Sequence, residues 1–200
     1  MKNVEILGHL IFAFLFIIFI TRFIKFKVDY RLIFIGALLP DIIDKPIGRY
    51  IFVDIFENGR IFGHTLLFFL AITFIAAYLY KRNRYLGLFS LSCGILSHLI
   101  ADGMLFDPRT FFWPLFGPSF IRGHDLGDYT TYIINIYTRY PLFTIVYVAI
   151  GFLLVCLLVY YYRLYIPEKL KNFVFKGSLE RSQINTISND SQKPVIRKNV

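Results

Sequence analysis

A histidine and an aspartate near the end of one apolar segment limit the folds open to this chain. The segment GILSHLIADGMLFDP runs from Gly94 to Pro108 and has membrane-spanning character. On an α-helix, His98 and Asp102 lie one turn apart on the same face, with about 6 Å between their Cβ atoms. Ionisable side chains are costly inside a membrane, so each one indicates a functional site. An imidazole and a carboxylate at this spacing can share one metal ion or one proton.

The composition excludes a water-soluble domain. Of the 200 residues, 56% are hydrophobic and 19% are aromatic, and the mean hydropathy is +0.58. A water-soluble domain of this length cannot bury so much apolar surface, whereas a bilayer accommodates it. The sequence therefore predicts an all-α, multi-pass transmembrane helical bundle.

About five membrane segments are predicted, one of them short. They are Ile6–Ile20, Leu32–Ile43, Ile61–Tyr80, Tyr85–Ala101 and Pro141–Tyr162. The second covers roughly 18 Å at ~1.5 Å per residue, less than the ~30 Å hydrocarbon core, and Pro40 marks its kink or its end. The aromatic run 111–120, interrupted by two prolines, predicts an interfacial element beside the bundle.

The charge distribution predicts the orientation. Five crossings place 15 of the 22 lysines and arginines on one face. The positive-inside rule makes that face cytoplasmic, with the N-terminus outside and the C-terminus inside. Four crossings would remove this bias. Residues 1–165 are predicted to form the transmembrane domain, and residues 166–200 a basic, disordered cytoplasmic tail.

The net charge of +9 fits a membrane surface better than nucleic acid. The basic tail is typical of a segment that lies near anionic lipid headgroups. The chain has no nucleic-acid-binding fold signature, so no nucleic-acid partner is expected. Membrane lipids are the expected partners, and the oligomeric state is left open.

Under this topology the ionisable residues gather at the outer ends of the predicted helices. Imidazoles and carboxylates are ligands for Zn²⁺, Mn²⁺ or Fe²⁺, and helical bundles build metal sites from inward-facing side chains. A bound metal lowers the pKa of its water to about 7 for attack on an ester or phosphoester. A carboxylate that is not a ligand can then take the proton. The ionisable residues that this topology places on the outer side are His9, Asp41, Asp44, His64, His98 and Asp102, with His124, Asp125 and Asp128 in the outer loop.

Four motifs resemble the YdjM-like inner-membrane family of metal-dependent hydrolases. They are GHLIF (8–12), GALLPDIID (36–44), FGHTLL (62–67) and GILSHLIADGMLFDP with the following FFWPLFG. The resemblance covers roughly residues 5 to 120 and implies a multi-pass membrane protein with a divalent metal, zinc first and manganese or iron as alternatives. It implies metal ligation by His9, Asp41, His64, His98 and Asp102, with Asp41 and Asp102 as the candidate catalytic residues.

Two positions depart from the family pattern. The family often carries a second acid two residues after the first, whereas this chain has Ile43 there and Asp44 next. A family histidine five residues before the second motif histidine corresponds to Gly59. The loss of one potential ligand argues against a two-metal site unless Asp44 or Asp54 replaces it.

Three functions remain open on the sequence alone. The first is a membrane-embedded hydrolase acting on an ester or phosphoester of a lipid or membrane-proximal substrate. The second is a transporter that passes a cation or proton through the same residues. The third is a non-catalytic scaffold, in which His98 and Asp102 fasten helices by hydrogen bonds. His64 and His9 near helix ends, Asp41 as a turn residue, and His124 in a loop have similarly simple structural explanations.

Overall fold

The computed structural model describes residues 6–23, 28–122, 149, 152–153, 155–157 and 159–177. Within these ranges the chain is helical and contains no strand, as the sequence predicts. The longer helices are α1 (Ile6–Phe23), α2 (Tyr30–Pro46), α4 (Leu66–Asn83) and α5 (Gly87–Ala101). A π-helical turn (Ile47–Ile51), α3 (Val53–Phe56), a 3-10 turn (Met104–Phe106), α6 (Pro108–Phe111) and α7 (Pro167–Lys176) complete the fold.

Two of the described helices are long and apolar enough to cross a membrane. They are α1 and α4, each of 18 residues, with mean hydropathies of 2.3 and 1.3. Both present large apolar side chains outward, including Phe19 on α1 and Phe74 on α4. A bilayer solvates such side chains, whereas water does not. The predicted count of five crossings stays a prediction, because most of the predicted span 141–162 lies outside the described residues.

Helix α5 lies at the centre of the bundle and packs against α1, α2 and α4. The crossing of α2 and α5 is close because a glycine stands on each side. A Cβ atom at Gly36 would lie 2.2 Å from the carbonyl oxygen of Leu91, and one at Gly94 would lie 2.2 Å from that of Ile33. Small residues let helix backbones approach in this way. The close approach aligns the turn after Gly94, which carries His98, with the middle of α2.

Helix α2 is longer than the sequence predicts. The short segment expected over Leu32–Ile43 is a 17-residue helix that begins at an Asp29 cap and contains Pro40. Asp29 caps the helix by accepting the backbone N–H of Arg31. The helix therefore does not end at Pro40 and continues to Pro46. Helix α4 differs in the opposite sense, because the segment expected from Ile61 becomes helical only at Leu66, after a Thr65 N-cap.

The start of the predicted disordered tail is ordered. Residues 167–176 form α7, so the prediction of disorder is wrong for this stretch, and residues 178–200 lie outside the described residues. Arg31 donates to the carbonyl oxygens of Val174 and Phe175 at 3.1 and 2.8 Å, and the amide of Tyr30 donates to Gly177. The end of α7 is thereby attached to the start of α2.

The aromatic run 111–120 is compact. Trp113 stacks on Phe120 with ring centroids 5.3 Å apart, and Phe62 contacts both rings edge-on. The run therefore packs against the segment that precedes α4. Its predicted place at the membrane interface stays a prediction.

Candidate metal centre

The five side chains singled out as metal ligands meet at one end of the bundle. His9 belongs to the first turns of α1, Asp41 follows Pro40 in α2, and His98 and Asp102 occupy the last turn and C-cap of α5. His64 lies in a turn two residues before the start of α4. All five are buried, and Asp41 is the most exposed at 8%. His124 and Asp125 lie outside the described residues.

The ligand atoms of these side chains are separated by distances typical of a shared ion. The Nε2 atoms of His64 and His98 lie 3.1 Å apart. Asp102 Oδ1 lies 3.4 Å from His9 Nε2, and Asp102 Oδ2 lies 3.5 Å from His64 Nε2. Asp41 Oδ1 lies 3.6 Å from His64 Nε2 and 4.0 Å from His98 Nε2. Two ligands of a tetrahedral zinc, each at 2.0–2.1 Å, stand about 3.3 Å from one another.

The tautomers of His64 and His98 follow from their other ring nitrogens. His98 Nδ1 lies 2.7 Å from the carbonyl oxygen of Ala37, and His64 Nδ1 lies 2.7 Å from Asp44 Oδ2. Both partners only accept hydrogen bonds, so each Nδ1 carries the proton and donates it. In the neutral imidazoles the two Nε2 atoms therefore carry lone pairs that face one another. A cation between them removes the repulsion, and an Nδ1–H held by an oxygen acceptor is typical of metal-ligating histidines.

Unpaired buried atoms are a further feature of the cluster. Among the described residues, His9 Nδ1 and Asp102 Oδ1 are buried without a hydrogen-bond partner. Buried polar atoms are normally paired, so Asp102 Oδ1, which faces His9 Nε2, is an available ligand. The potential ligands fall into two overlapping groups that share His98. One contains His9, His98 and Asp102, and the other contains Asp41, His64 and His98.

Asp44 supports the site without facing it. Its carboxylate is fully buried and accepts the backbone amides of Ile61, Gly63 and His64 at 2.8, 2.8 and 3.1 Å, besides the His64 ring. These bonds fasten the non-helical segment before α4 to the end of α2. Because both oxygens are engaged, Asp44 orients His64 and does not add a ligand.

No described residue replaces the absent family histidine. Asp54 lies exposed on α3 and belongs to neither group of potential ligands. A side chain at Gly59 would meet the guanidinium of Arg49, 2.5 Å from the position of its Cβ. Arg49 thus lies where a histidine at position 59 would extend. The described donor set of three histidines and two aspartates therefore suits one ion better than two.

Two cationic side chains that the sequence did not single out border the cluster. Arg60 Nε lies 3.0 Å from Asp102 Oδ2, and Lys45 Nζ lies 2.6 Å from Asp41 Oδ2. The i,i+4 spacing of Asp41 and Lys45 was a usable signal, since such pairs meet on a helix. The sequence carried no signal for Arg60, because the position of Arg60 depends on how the segment after α3 folds back towards the cluster. Asn58 fixes that turn by accepting the Arg60 amide at 2.9 Å.

The charges of the buried cluster leave a deficit of positive charge. Three carboxylates, Asp41, Asp44 and Asp102, face two cationic side chains, Lys45 and Arg60, while the histidines are neutral donors in the arrangement above. An uncompensated buried charge is unfavourable. A divalent cation at the histidines more than offsets this deficit and leaves the cluster with a net charge of +1.

These features define a helical protein with membrane-spanning apolar helices and a buried histidine–aspartate cluster at one end of its bundle. The sequence profile described as YdjM inner membrane protein matches residues 4–169. The chain belongs to this family, as its motifs indicated, and the family description together with the apolar helices indicates a membrane protein. Nothing matches among the curated proteins or among the solved structures.

Proposed function

We propose that this protein is a membrane-embedded, metal-dependent hydrolase that acts on a phosphoester. The observation that supports it best is the pair of Nε2 atoms of His64 and His98, 3.1 Å apart, with both Nδ1 atoms committed to acceptors. This arrangement suits a cation. A scaffold that only fastened helices would be expected to pair each imidazole nitrogen with an opposite partner.

His9, His64, His98 and Asp102 would hold the ion, and Asp41 would complete or border its coordination. Zinc is the first choice because imidazole with carboxylate is its usual donor set, and manganese or iron would take the same ligands. When bound, such an ion supplies a Lewis acid and a water whose pKa is lowered to about 7.

The chain's own residues divide the remaining tasks. Asp44 and the carbonyl of Ala37 hold the two imidazoles in their ligating tautomers. Asp41, the most exposed carboxylate of the cluster, is placed to accept a proton from the attacking water. Lys45 and Arg60 place positive charge beside the carboxylates. Cations favour an anionic substrate, so a phosphoester is preferred to a neutral carboxylic ester.

We also propose the five-crossing topology, with the site on the outer side of the membrane. The cluster unites the start of α1 with the ends of α2 and α5 and the segment before α4, as alternating crossings require. The opposite ends carry basic residues: Arg22, Arg31 and Lys81–Arg84, with α7 attached to the start of α2. The positive-inside rule makes that end cytoplasmic.

Metal content tests the proposal. Protein purified in detergent should contain about one equivalent of zinc, manganese or iron by mass spectrometry, as a single donor set of this kind holds. The variants His98→Ala, His64→Ala and Asp102→Asn should lose it. Asp54→Asn, which removes an exposed carboxylate outside the cluster, is the matched control and should retain it.

Hydrolysis is measured on the same preparations. A chromogenic phosphodiester should be cleaved by the wild-type protein, and a chelator should abolish the cleavage. If the cluster variants retain as much metal as wild type, or if chelation leaves cleavage unchanged, the proposed function is wrong.

A further inference from the structure

An apolar groove of about 470 Å³ lies along the bundle beside the candidate metal centre. Its walls come from α1, α2, α7 and four residues before α7, namely Val155, Val159, Tyr162 and Leu164. The lining includes Leu10, Phe14, Phe34, Leu38, Val159 and Phe173. The volume is within the ~300–1,000 Å³ of ligand pockets, but the groove lacks the few convergent polar groups that fix most small ligands. Its occupant is therefore apolar over the length that the groove holds.

One end of the groove lies on the face of α2 that carries Lys45, a neighbour of the candidate metal centre. Leu38 and Ile42 line the groove, and Lys45 follows at the i+7 position of the same helical face. Lys45 is bonded to Asp41, whose Oδ1 belongs to the cluster. On α1, Leu10 of the groove adjoins His9. Along this face of α2, the apolar groove residues are followed by the cationic Lys45, which is bonded to Asp41 of the cluster.

The groove runs away from the cluster towards the opposite end of the bundle. From Ile42 back to Phe34 it follows eight residues of α2, about 12 Å at ~1.5 Å per residue. Phe173 of α7 closes the far part, near the attachment of α7 to the start of α2. This direction matches a hydrocarbon chain that descends from a headgroup at the membrane surface.

We propose that the groove holds an acyl chain of an anionic phospholipid and places its phosphoester at Lys45 and the metal centre. The proposal rests on the proposed function and specifies its substrate class. Lipid tails are as apolar as the groove, so transfer from the bilayer adds little affinity. Selection comes from the charge of the headgroup and from the shape of the groove.

A photoactivatable phospholipid tests the binding directly. Full-length protein is reconstituted in vesicles that contain phosphatidylglycerol with a diazirine on its acyl chain. After irradiation, labelled peptides are mapped by mass spectrometry. Labels should concentrate on the groove residues of α1, α2 and 155–173, and excess unlabelled phosphatidylglycerol should displace them, whereas excess diacylglycerol should not.

Two isoleucine substitutions form a matched pair. Ile35 lines the groove, Ile75 lies on α4 outside it, and both are 50% exposed. Ile35→Trp fills the groove and should lower labelling of its residues about tenfold, the effect of overfilling a packed apolar site. Ile75→Trp should leave labelling at the wild-type level. Metal content should be unchanged in both, which verifies that the variants fold.

Chain-length dependence links the groove to catalysis. Ile35→Trp should lower kcat/KM for long-chain phosphatidylglycerol about tenfold by the same steric effect and leave the dihexanoyl lipid unaffected. Ile75→Trp should change neither.

Three labelling results would overturn the groove proposal. They are equal labelling in the two variants, displacement by diacylglycerol as effective as by phosphatidylglycerol, and labels distributed evenly around the bundle. Cross-links from position 35 to a second copy, or to residues 123–148, would also overturn it, because the groove would then be filled by protein. Labelling needs no turnover. Intact groove labelling without any metal-dependent hydrolysis therefore rejects the proposed function and leaves lipid binding standing.

Discussion

Asp44 offers a test of how the site is built, because it would act on a bound metal only through His64. Its Oδ2 accepts the His64 ring N–H at 2.7 Å and the amides of Ile61 and His64, while Oδ1 accepts the amide of Gly63. Asparagine keeps one carbonyl oxygen, which can stay at the Oδ2 position. Its NH₂ group then faces the Gly63 amide, donor against donor, and the negative charge is lost.

Partners of ligating histidines typically contribute 10–100-fold to metal affinity. Because tenfold corresponds to about 1.4 kcal/mol, the expected range is ~1.4–2.8 kcal/mol. We expect Asp44→Asn near the lower limit, since the bond to His64 can persist, and Asp44→Ala near the upper limit, since it removes every acceptor. Asp54→Asn should leave the affinity unchanged.

The assay is a competition titration of the apo protein in detergent with a chromophoric zinc chelator. Because Asp44 also fastens the segment before α4, the visible spectrum of the cobalt-substituted protein is recorded as well. An altered ligand field in Asp44→Asn, at a thermal stability of the apo protein close to wild type, identifies a positioning role. Equal zinc affinities in wild type, Asp44→Asn and Asp44→Ala would refute the reasoning.

Two further predictions concern the scaffold. Gly94→Ala places a methyl group 2.2 Å from the Ile33 carbonyl and should destabilise the protein by about 1–3 kcal/mol, measured as a lower melting temperature in detergent; an unchanged melting temperature would contradict the close crossing. The Arg31 guanidinium, hydrogen-bonded to the Asp29 carboxylate, holds the pKa of Asp29 below its ordinary value. The stability that this pair contributes is therefore present above the ordinary pKa of aspartate and is lost as the pH falls through the lowered one. Asp29→Asn should lower the melting temperature at pH 7 and converge with wild type in strong acid, whereas a difference that persists at all pH values would exclude this linkage.

The sequence predicted the members of the cluster because the position of each ionisable residue along its predicted helix indicates its depth in the membrane. Apolar runs located the helices, and the charges placed His9, Asp41 and His98 at the same end. The one-turn spacing of His98 and Asp102 is present, with the Asp102 amide bonded to the His98 carbonyl at 2.9 Å. The family motifs selected the same positions, and the structure brings all five side chains together.

The supporting residues could not be predicted, because they depend on tertiary contacts. In the sequence, Asp44 had the features of a helix-end residue. Its partners become clear only in the structure, where the segment before α4 lies against the end of α2 and donates backbone amides to Asp44. Arg60 lies in the same returning segment. The predicted boundaries of α2 and α4 were wrong for a related reason. Pro40 is accommodated inside α2. The Asp44 carboxylate, not a helix, accepts the backbone amides of Ile61, Gly63 and His64.

The most direct measurement of the central claim is X-ray absorption spectroscopy of the purified protein at the metal edge. One ion with two or three imidazole ligands at ~2.0–2.1 Å is expected for zinc, and His64→Ala or His98→Ala should remove the imidazole scattering. Metal-free protein after purification and zinc loading, or a bound ion without imidazole ligands, would contradict the account.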